Sequence, residues 1–220
     1  MAHLVPFLTT DLERDFAVQL GIPMYAADPR FFAIGTKSGC RQIFAEEGVQ
    51  HAQGAENIYT KDDLVQALSE MRAQKPEIEK VIIKHNDGVS GYGNATLDLA
   101  GLPAPKSAGE RVALAEHLKE LQFELADVSY DWYMEQLEEK GGIVEELIDG
   151  DSVFSPSVQL RISPLGEVEL LSTHDQILGG PSGQVYMGAR FPANPEYGPM
   201  ITREAEKVGK RFAKEGVIGR

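Results

Sequence analysis

Apolar residues recur along this chain at two different spacings, and the change of spacing divides it. "TTDLERDFAVQLG" predicts a short helix, with Thr10 as N-cap, Glu13 closing a capping box and Gly21 as the stop. "IPMYAADPRFFAIG" is a proline-punctuated connection. "TKSGCRQIFAEEG" predicts a second helix, with Cys40, Ile43 and Phe44 on one apolar face and Gly48 at its end. "TKDDLVQALSEMRAQ" predicts a third, capped by Thr60 with acids in its first turn. Val81-Ile82-Ile83 is a β-branched run that predicts a buried strand, followed by a glycine-rich loop and another strand. "LPAPKSAGE" is a loop, and "RVALAEHLKELQFEL" predicts an amphipathic helix with Leu114, Leu118, Leu121 and Leu125 on one stripe. "YDWYMEQLEEKGG" predicts one more short helix.

The period changes after Gly142. "IVEELI", "SVFSPSVQLRIS", "EVELLSTHDQIL" and "QVYMGARF" read as successive strands, joined by turns at "IDGD", "PLG" and "GGPSG". An amphipathic helix from about Met200 to Glu215 closes the pattern at Gly216. A mixed half followed by an antiparallel half predicts an α+β protein of two subdomains meeting near Gly141–Gly142. The expected division is 1–36 for an N-terminal helix and linker, 37–142 for the first subdomain and 143–220 for the second.

Composition narrows the function. The 220 residues carry 21 Lys plus Arg against 34 Asp plus Glu, a formal net charge of −13. That opposes a nucleic-acid partner, which needs a basic face. It leaves room for a small phosphorylated ligand, and makes lysines beside glycine loops more informative. No apolar run is long enough to span a bilayer, and "MAHLVPFLTT" does not read as a signal peptide. The single cysteine, Cys40, precludes an internal disulfide and fits a reducing, cytoplasmic setting.

Three segments carry candidate chemistry. In "VIIKHNDGVSGYGN", Lys84 emerges at the end of a buried run, placed as a point charge for phosphate. Gly88, Gly91 and Gly93 let backbone N–H groups close on phosphate oxygens, with Ser90 adding a hydroxyl and Asn94 ending the loop. The spacing is neither a Walker loop nor a dinucleotide fingerprint. A loop between strands suits a flap over phosphates; a plain glycine-rich hairpin is the competing reading. In "GGIVEELIDGDSV", the Glu145-Glu146-Leu147-Ile148 stretch links the two subdomains and suits adenine, against an edge strand with solvated acids. Lys37 opens a helix, where its charge opposes the dipole; the alternative is a solvated surface lysine. His174-Asp175 is a weaker acid–base pair, since strand neighbours point to opposite faces. The five histidines form no metal spacing, and no G-x-S-x-G elbow is present.

In this order, "TKSGCRQIFAEEGV", "VIIKHNDGVSGYGN", "VEELIDG", "SPSVQL" and "THDQILGGPSGQVYMGARFPA" resemble the ATP-grasp carboxylate–amine ligases related to the pheganomycin-type peptide ligase. The resemblance spans nearly the whole chain. It implies two α+β subdomains gripping ATP between them. Lys37 and Lys84 would bind its phosphates under a flap of Gly88, Ser90, Gly91 and Gly93. Glu145, Glu146, Leu147 and Ile148 would hold adenine, the last three largely through backbone groups. Asp151 stands where an acidic ribose ligand is expected. Arg220 matches an arginine that stabilises the acyl-phosphate step. Mg2+ is implied as well, with its Asp, Glu and Asn ligands expected on strands after "GVIGR", past Arg220. The resemblance therefore predicts a fragment with an incomplete C-terminal subdomain. The expected activity of the complete enzyme joins a small carboxylate to an amine through an acyl phosphate. A catalytically silent ATP-binding module and an ATP-grasp phosphotransferase are the alternatives.

Overall fold

The computed structural model describes residues 2–89, 91–150 and 152–220. Two antiparallel sheets organise it. The first combines β1 (Gly54–Ile58), β2 (Lys80–His85), β3 (Asn94–Asp98), β4 (Gln122–Phe123) and β5 (Gly142–Glu146) in the order β1-β5-β2-β3-β4. The second pairs β6 (Ser155–Ile162), β7 (Val168–Gly179) and β8 (Val185–Arg190) in sequence order. Among the described residues six α-helices accompany them: α1 (Asp11–Leu20), α2 (Lys37–Glu46), α3 (Lys61–Gln74), α4 (Glu110–His117), α5 (Tyr130–Lys140) and α6 (Gly198–Glu215). No helix among the described residues is long and apolar enough to cross a membrane.

The helices begin and end where capping chemistry directs. Thr10 and Glu13 form a reciprocal capping box on α1, and Gly21 ends it in the left-handed conformation. Thr36 caps α2 through Gly39 N–H, and Thr60 with Asp63 makes a second box on α3. Gly216 closes α6.

One face of the first sheet is the core. Val81, Ile83, Ala95, Leu97 and Val144 pack there against Leu64, Leu68 and Met71 of α3, Leu114 of α4, and Tyr133 and Leu137 of α5. Each of the buried Val, Ile, Leu and Met side chains contributes about 1.5–3 kcal/mol on leaving water. Pairing register then settles the opposite face. Ile82 lies opposite Glu145 and Thr96, and Lys84 opposite Ile143 and Asn94. Directly paired residues project to the same side of a sheet. Ile82, Lys84, Asn94, Thr96, Ile143 and Glu145 therefore share the face away from the core helices. In the second sheet, α6 packs against β6 and β7. A Cβ on its Gly209 would stand 2.7 Å from Val168 Cγ1 and 2.9 Å from Leu160 Cδ1, so helix and sheet are in direct contact.

Three local expectations change. The strand after Gly141, placed by its sequence at the head of the second subdomain, is β5 and lies hydrogen-bonded between β1 and β2. The "RVALAEHLKELQFEL" helix stops at His117, tightens into a 3₁₀ turn at Leu118–Glu120, and gives way to β4. Phe123 pairs with Ala95, which pulls the chain into the sheet and leaves Leu125 exposed. On α2 the buried residues are Ser38, Gly39, Arg41 and Ile43, while Cys40 and Phe44 are only half-buried.

Candidate functional site

The polar face of the first sheet, roofed by α2 over β1 and β5, gathers the charged groups. Its floor is apolar, since Ile82 and Ile143 are both buried. Lys84 reaches across it to the Glu145 carboxylate on the adjacent strand, an ion pair through Oε1. The other oxygen, Oε2, accepts from Arg41 Nη1 at 2.9 Å. Arg41 also donates through Nε to Glu56 Oε1 at 2.6 Å and through Nη1 to Ala52 C=O at 2.9 Å.

Lys37 enters from the first turn of α2. Its Nζ donates to Gly88 C=O at 2.7 Å, which ties the helix to the glycine loop. Burial lowers its pKa from the ordinary lysine value, and the neighbouring Lys84 charge lowers it further. The two sequence-selected lysines thus occupy one site. With Arg41 they set three cations against the carboxylates of Glu56 and Glu145, in a protein of net charge −13.

The glycine loop runs from Asn86 to Gly93, between β2 and β3. It is knotted at its base by Asn86. The Asn86 Oδ1 accepts from Ser38 N–H at 3.0 Å, its Nδ2 donates to Lys140 C=O at 3.1 Å, and its C=O accepts from Lys37 N–H at 3.1 Å. Gly93 holds a φ of 85°, and a Cβ there would stand 3.0 Å from the His85 ring. Its C=O accepts from His85 N–H at 3.1 Å and Tyr133 O–H at 3.0 Å. The His85 ring stacks on Tyr133 at 4.2 Å, and burial lowers its pKa, so the neutral imidazole is favoured. Asn94 is buried and opens β3, with its N–H on Gly91 C=O at 3.1 Å. Ser90 lies outside the described residues, and so does Asp151.

The Glu145–Ile148 stretch divides. Glu145 faces the lysine side. Glu146 pairs with Lys75 at the end of α3 and accepts from Gln53 N–H at 3.3 Å. Glu146 N–H donates to Gln53 C=O at 2.8 Å and Leu147 N–H to Lys80 C=O at 3.0 Å. Ile148 is exposed, and with Glu146, Leu147, Lys75 and Lys80 it lines a shallow cavity of about 420 Å³.

Arg220 is placed on the second sheet. Gly219, the residue before it, exchanges both backbone hydrogen bonds with Ile162, and Arg220 itself is exposed. No hydrogen bond or ion pair among the described residues joins it to the lysines. Asp175 accepts from Tyr197 O–H at 2.6 Å and Asn194 N–H at 3.0 Å, whereas the neighbouring His174 ring lies 5.6 Å from Phe191. The two therefore serve different faces. "GGPSG" forms the β7–β8 hairpin turn, and Ser182 N–H donates to Glu124 at 3.2 Å. Among the described residues no group of three or more His, Cys, Asp or Glu is placed to hold a metal ion, so no magnesium step is assigned to them.

Sequence reasoning passed over Arg41 and Asn86. Both look ordinary in a linear reading, because their partners lie far away: Glu145 is 104 residues from Arg41. The available signal was weak, an arginine one turn after Lys37 on the same helix.

The chain has relatives among known proteins. A family model described as IQCH-like, ATP-grasp matches residues 31–126 and 112–220. IQ motif-containing protein H of Danio rerio is 25% identical over 245 residues, covering 99% of this chain and 23% of that protein. The L-propargylglycine–L-glutamate ligase of Streptantibioticus cattleyicolor is 27% identical over 188 residues, covering 84% of this chain and 36% of that protein. The chain thus spans about a quarter to a third of the lengths of these relatives. Among solved structures, the biotin carboxylase–beta-gamma-ATP complex of Campylobacter jejuni shares the fold with a TM-score of 0.68. It is 14% identical, with 99% of this chain and 44% of that chain covered.

Proposed function

The chain belongs to the IQCH-like, ATP-grasp family, and on that premise we propose that it is the nucleotide-gripping part of an ATP-dependent carboxylate–amine ligase. One observation carries the reading. Lys37 and Lys84 meet on a single face beneath a glycine loop, and Lys37 already touches that loop at Gly88. Two ammonium groups over an apolar floor suit the phosphates of ATP, with charge stabilisation strengthened by the low local dielectric. The glycine loop would close over the phosphates through its backbone N–H groups. Adenine would lie along Glu145–Ile148, and Asp151 is the proposed ribose contact.

The proposed reaction has two steps. A substrate carboxylate attacks the γ-phosphorus of ATP, and ADP leaves. An amine then attacks the acyl phosphate, and inorganic phosphate leaves as the amide forms. Positioning and charge neutralisation dominate phosphoryl transfer of this kind. Lys37 and Lys84 supply charge in the first step, and Arg220 is the group proposed to stabilise the acyl phosphate. The Streptantibioticus relative, by its name a ligase of two amino acids, supports small amino-acid substrates.

The first test is calorimetric titration of the 220-residue chain with ATP. Lys84→Ala is expected to weaken binding about tenfold or more, the equivalent of roughly 1.4 kcal/mol. Unchanged affinity in that variant removes Lys84 from the site. A second reading is nucleotide binding without turnover. Amide formation by this chain from ATP, a carboxylate and an amine would refute it.

A further inference from the structure

We propose that Arg41 is a positioning residue whose grip on Glu145 releases Lys84 to the incoming phosphates. The inference deepens the ATP-binding reading of this site and rests on it.

The Glu145 carboxylate has two oxygens and two cationic partners, one on each. Lys84 holds Oε1, and Arg41 Nη1 holds Oε2 at 2.9 Å. In this state the Lys84 charge is already neutralised within its own sheet. A phosphate must compete with Glu145 for it. Were Lys84 the only partner, its departure would strand a carboxylate whose side chain is only 16% exposed. An uncompensated buried charge is strongly unfavourable. Arg41 removes that obstacle, because it stays on the other oxygen when Lys84 leaves.

The two cations are built for different tasks. The Arg41 side chain is 6% exposed and fixed from three directions: Glu56 at 2.6 Å, Ala52 C=O at 2.9 Å, and Glu145. A guanidinium keeps its charge under all ordinary conditions, and its planar fork can satisfy several acceptors at once. Lys84 presents a single ammonium on a flexible stem, the form suited to exchange. The placement on α2 supports the same division. Lys37 and Arg41 lie one helical turn apart. The first reaches the glycine loop, and the second reaches the carboxylate that restrains Lys84. One helix thus brings a phosphate ligand and the counter-charge that frees the other phosphate ligand. Arg41 makes no proposed contact with the nucleotide.

The competing role is a structural brace that ties α2 to β1 and β5. The variants Arg41→Gln, Glu145→Gln and their double mutant separate the two. The first readout is independent of ATP: acetylation of Lys84 during a brief acetic anhydride pulse, quantified by peptide mass spectrometry. The second is ATP affinity by calorimetry. Positioning predicts that Arg41→Gln slows Lys84 acetylation about threefold, as Glu145 is left with lysine alone, and weakens ATP binding about tenfold. Adding Glu145→Gln restores fast acetylation and brings affinity to within about threefold of the Glu145→Gln single variant. A brace predicts the reverse: faster acetylation in Arg41→Gln from a loosened helix, with no recovery in the double mutant. That pattern, or unchanged acetylation, overturns the proposal. If wild type acetylates in the expected order yet binds no ATP, the nucleotide reading falls and the Arg41–Glu145–Lys84 exchange stands. Should Arg41→Gln fail to fold, Arg41→Lys serves in its place. In that case the Arg41→Lys preparation is also assayed alongside Arg41→Met, which keeps the bulk but loses the charge: slower Lys84 acetylation than wild type is required of Arg41→Met, and a rate near wild type of Arg41→Lys.

Discussion

At the scale of single residues, the site depends on where charge sits before any ligand arrives. Lys37 shows this most directly. Burial lowers its pKa below the ordinary lysine value of 10.5, and Lys84 adds a second push in the same direction. Phosphates favour the ammonium form, so nucleotide binding raises that pKa again. The sign follows from linkage. Affinity is complete while free Lys37 is protonated, and it declines as pH rises through the lowered value. ATP titrations carried upward from neutral pH are therefore expected to lose affinity before pH 10.5, and Lys37→Ala should flatten that limb. A wild-type profile identical to the variant's would show that Lys37 does not meet the phosphates. Both lysines were legible in the sequence because each stands at an element boundary, one opening a helix and one ending a buried strand. Arg41 and Asn86 were not, since an arginine or asparagine acquires its role only when distant strands arrive beside it.

At the scale of elements, the chain announces its helices through caps and its strands through β-branched runs. Thr10 with Glu13, Thr60 with Asp63, and Gly216 each mark a boundary that the structure keeps. The long leucine-striped segment fails for a physical reason. Leu114, Leu118 and Leu121 all bury as a helical stripe would, but Phe123 pairs with Ala95 at the sheet edge. Tertiary pairing outweighs local period there. The α3–α4 contact holds a second feature that periodicity hides, a buried carboxylate. Glu110 is 1% exposed and is paired with Arg72. It also accepts from Ser69 Oγ at 2.9 Å and Lys106 N–H at 2.7 Å. Glu110→Ala leaves Arg72, 7% exposed, in the interior without its counter-charge. The expected loss is about 3–5 kcal/mol in urea denaturation. A loss under about 1 kcal/mol would mean that water reaches Arg72 and the pair carries little.

At the scale of the whole molecule, the question is what joins the lysine-bearing sheet to the second one, since a grip needs two jaws. Arg211 of α6 pairs with Glu46 and Glu47 at the end of α2, and a second, smaller contact is built around Glu124, just after β4. Its N–H donates to Asn94 C=O at 3.3 Å, where the glycine loop ends. Its Oε2 accepts from Ser182 N–H at 3.2 Å in the β7–β8 turn, and its Oε1 is buried without a hydrogen-bond partner among the described residues. Gly180 makes the approach possible. It holds a φ of 78°, and a Cβ there would stand 2.3 Å from Glu124 Oε1 and 2.6 Å from Val185 Cγ2. Gly91 of the loop meets the same Val185, with a Cβ position 3.0 Å from Cγ2. The end of the glycine loop, Glu124 and the hairpin thus form one small contact that no linear pattern displays. Gly180→Ala adds left-handed strain of about 1–2 kcal/mol together with the collision. The expected result is faster hydrogen exchange at Ser182 N–H, with exchange in the core strands β2 and β5 unchanged. Placed in a Glu124→Ala background, the same substitution meets no carboxylate. Its cost in stability should fall by about 0.5 kcal/mol or more, the coupling expected of touching residues. Additive losses in the double mutant would show that Gly180 serves the turn alone and is not coupled to Glu124.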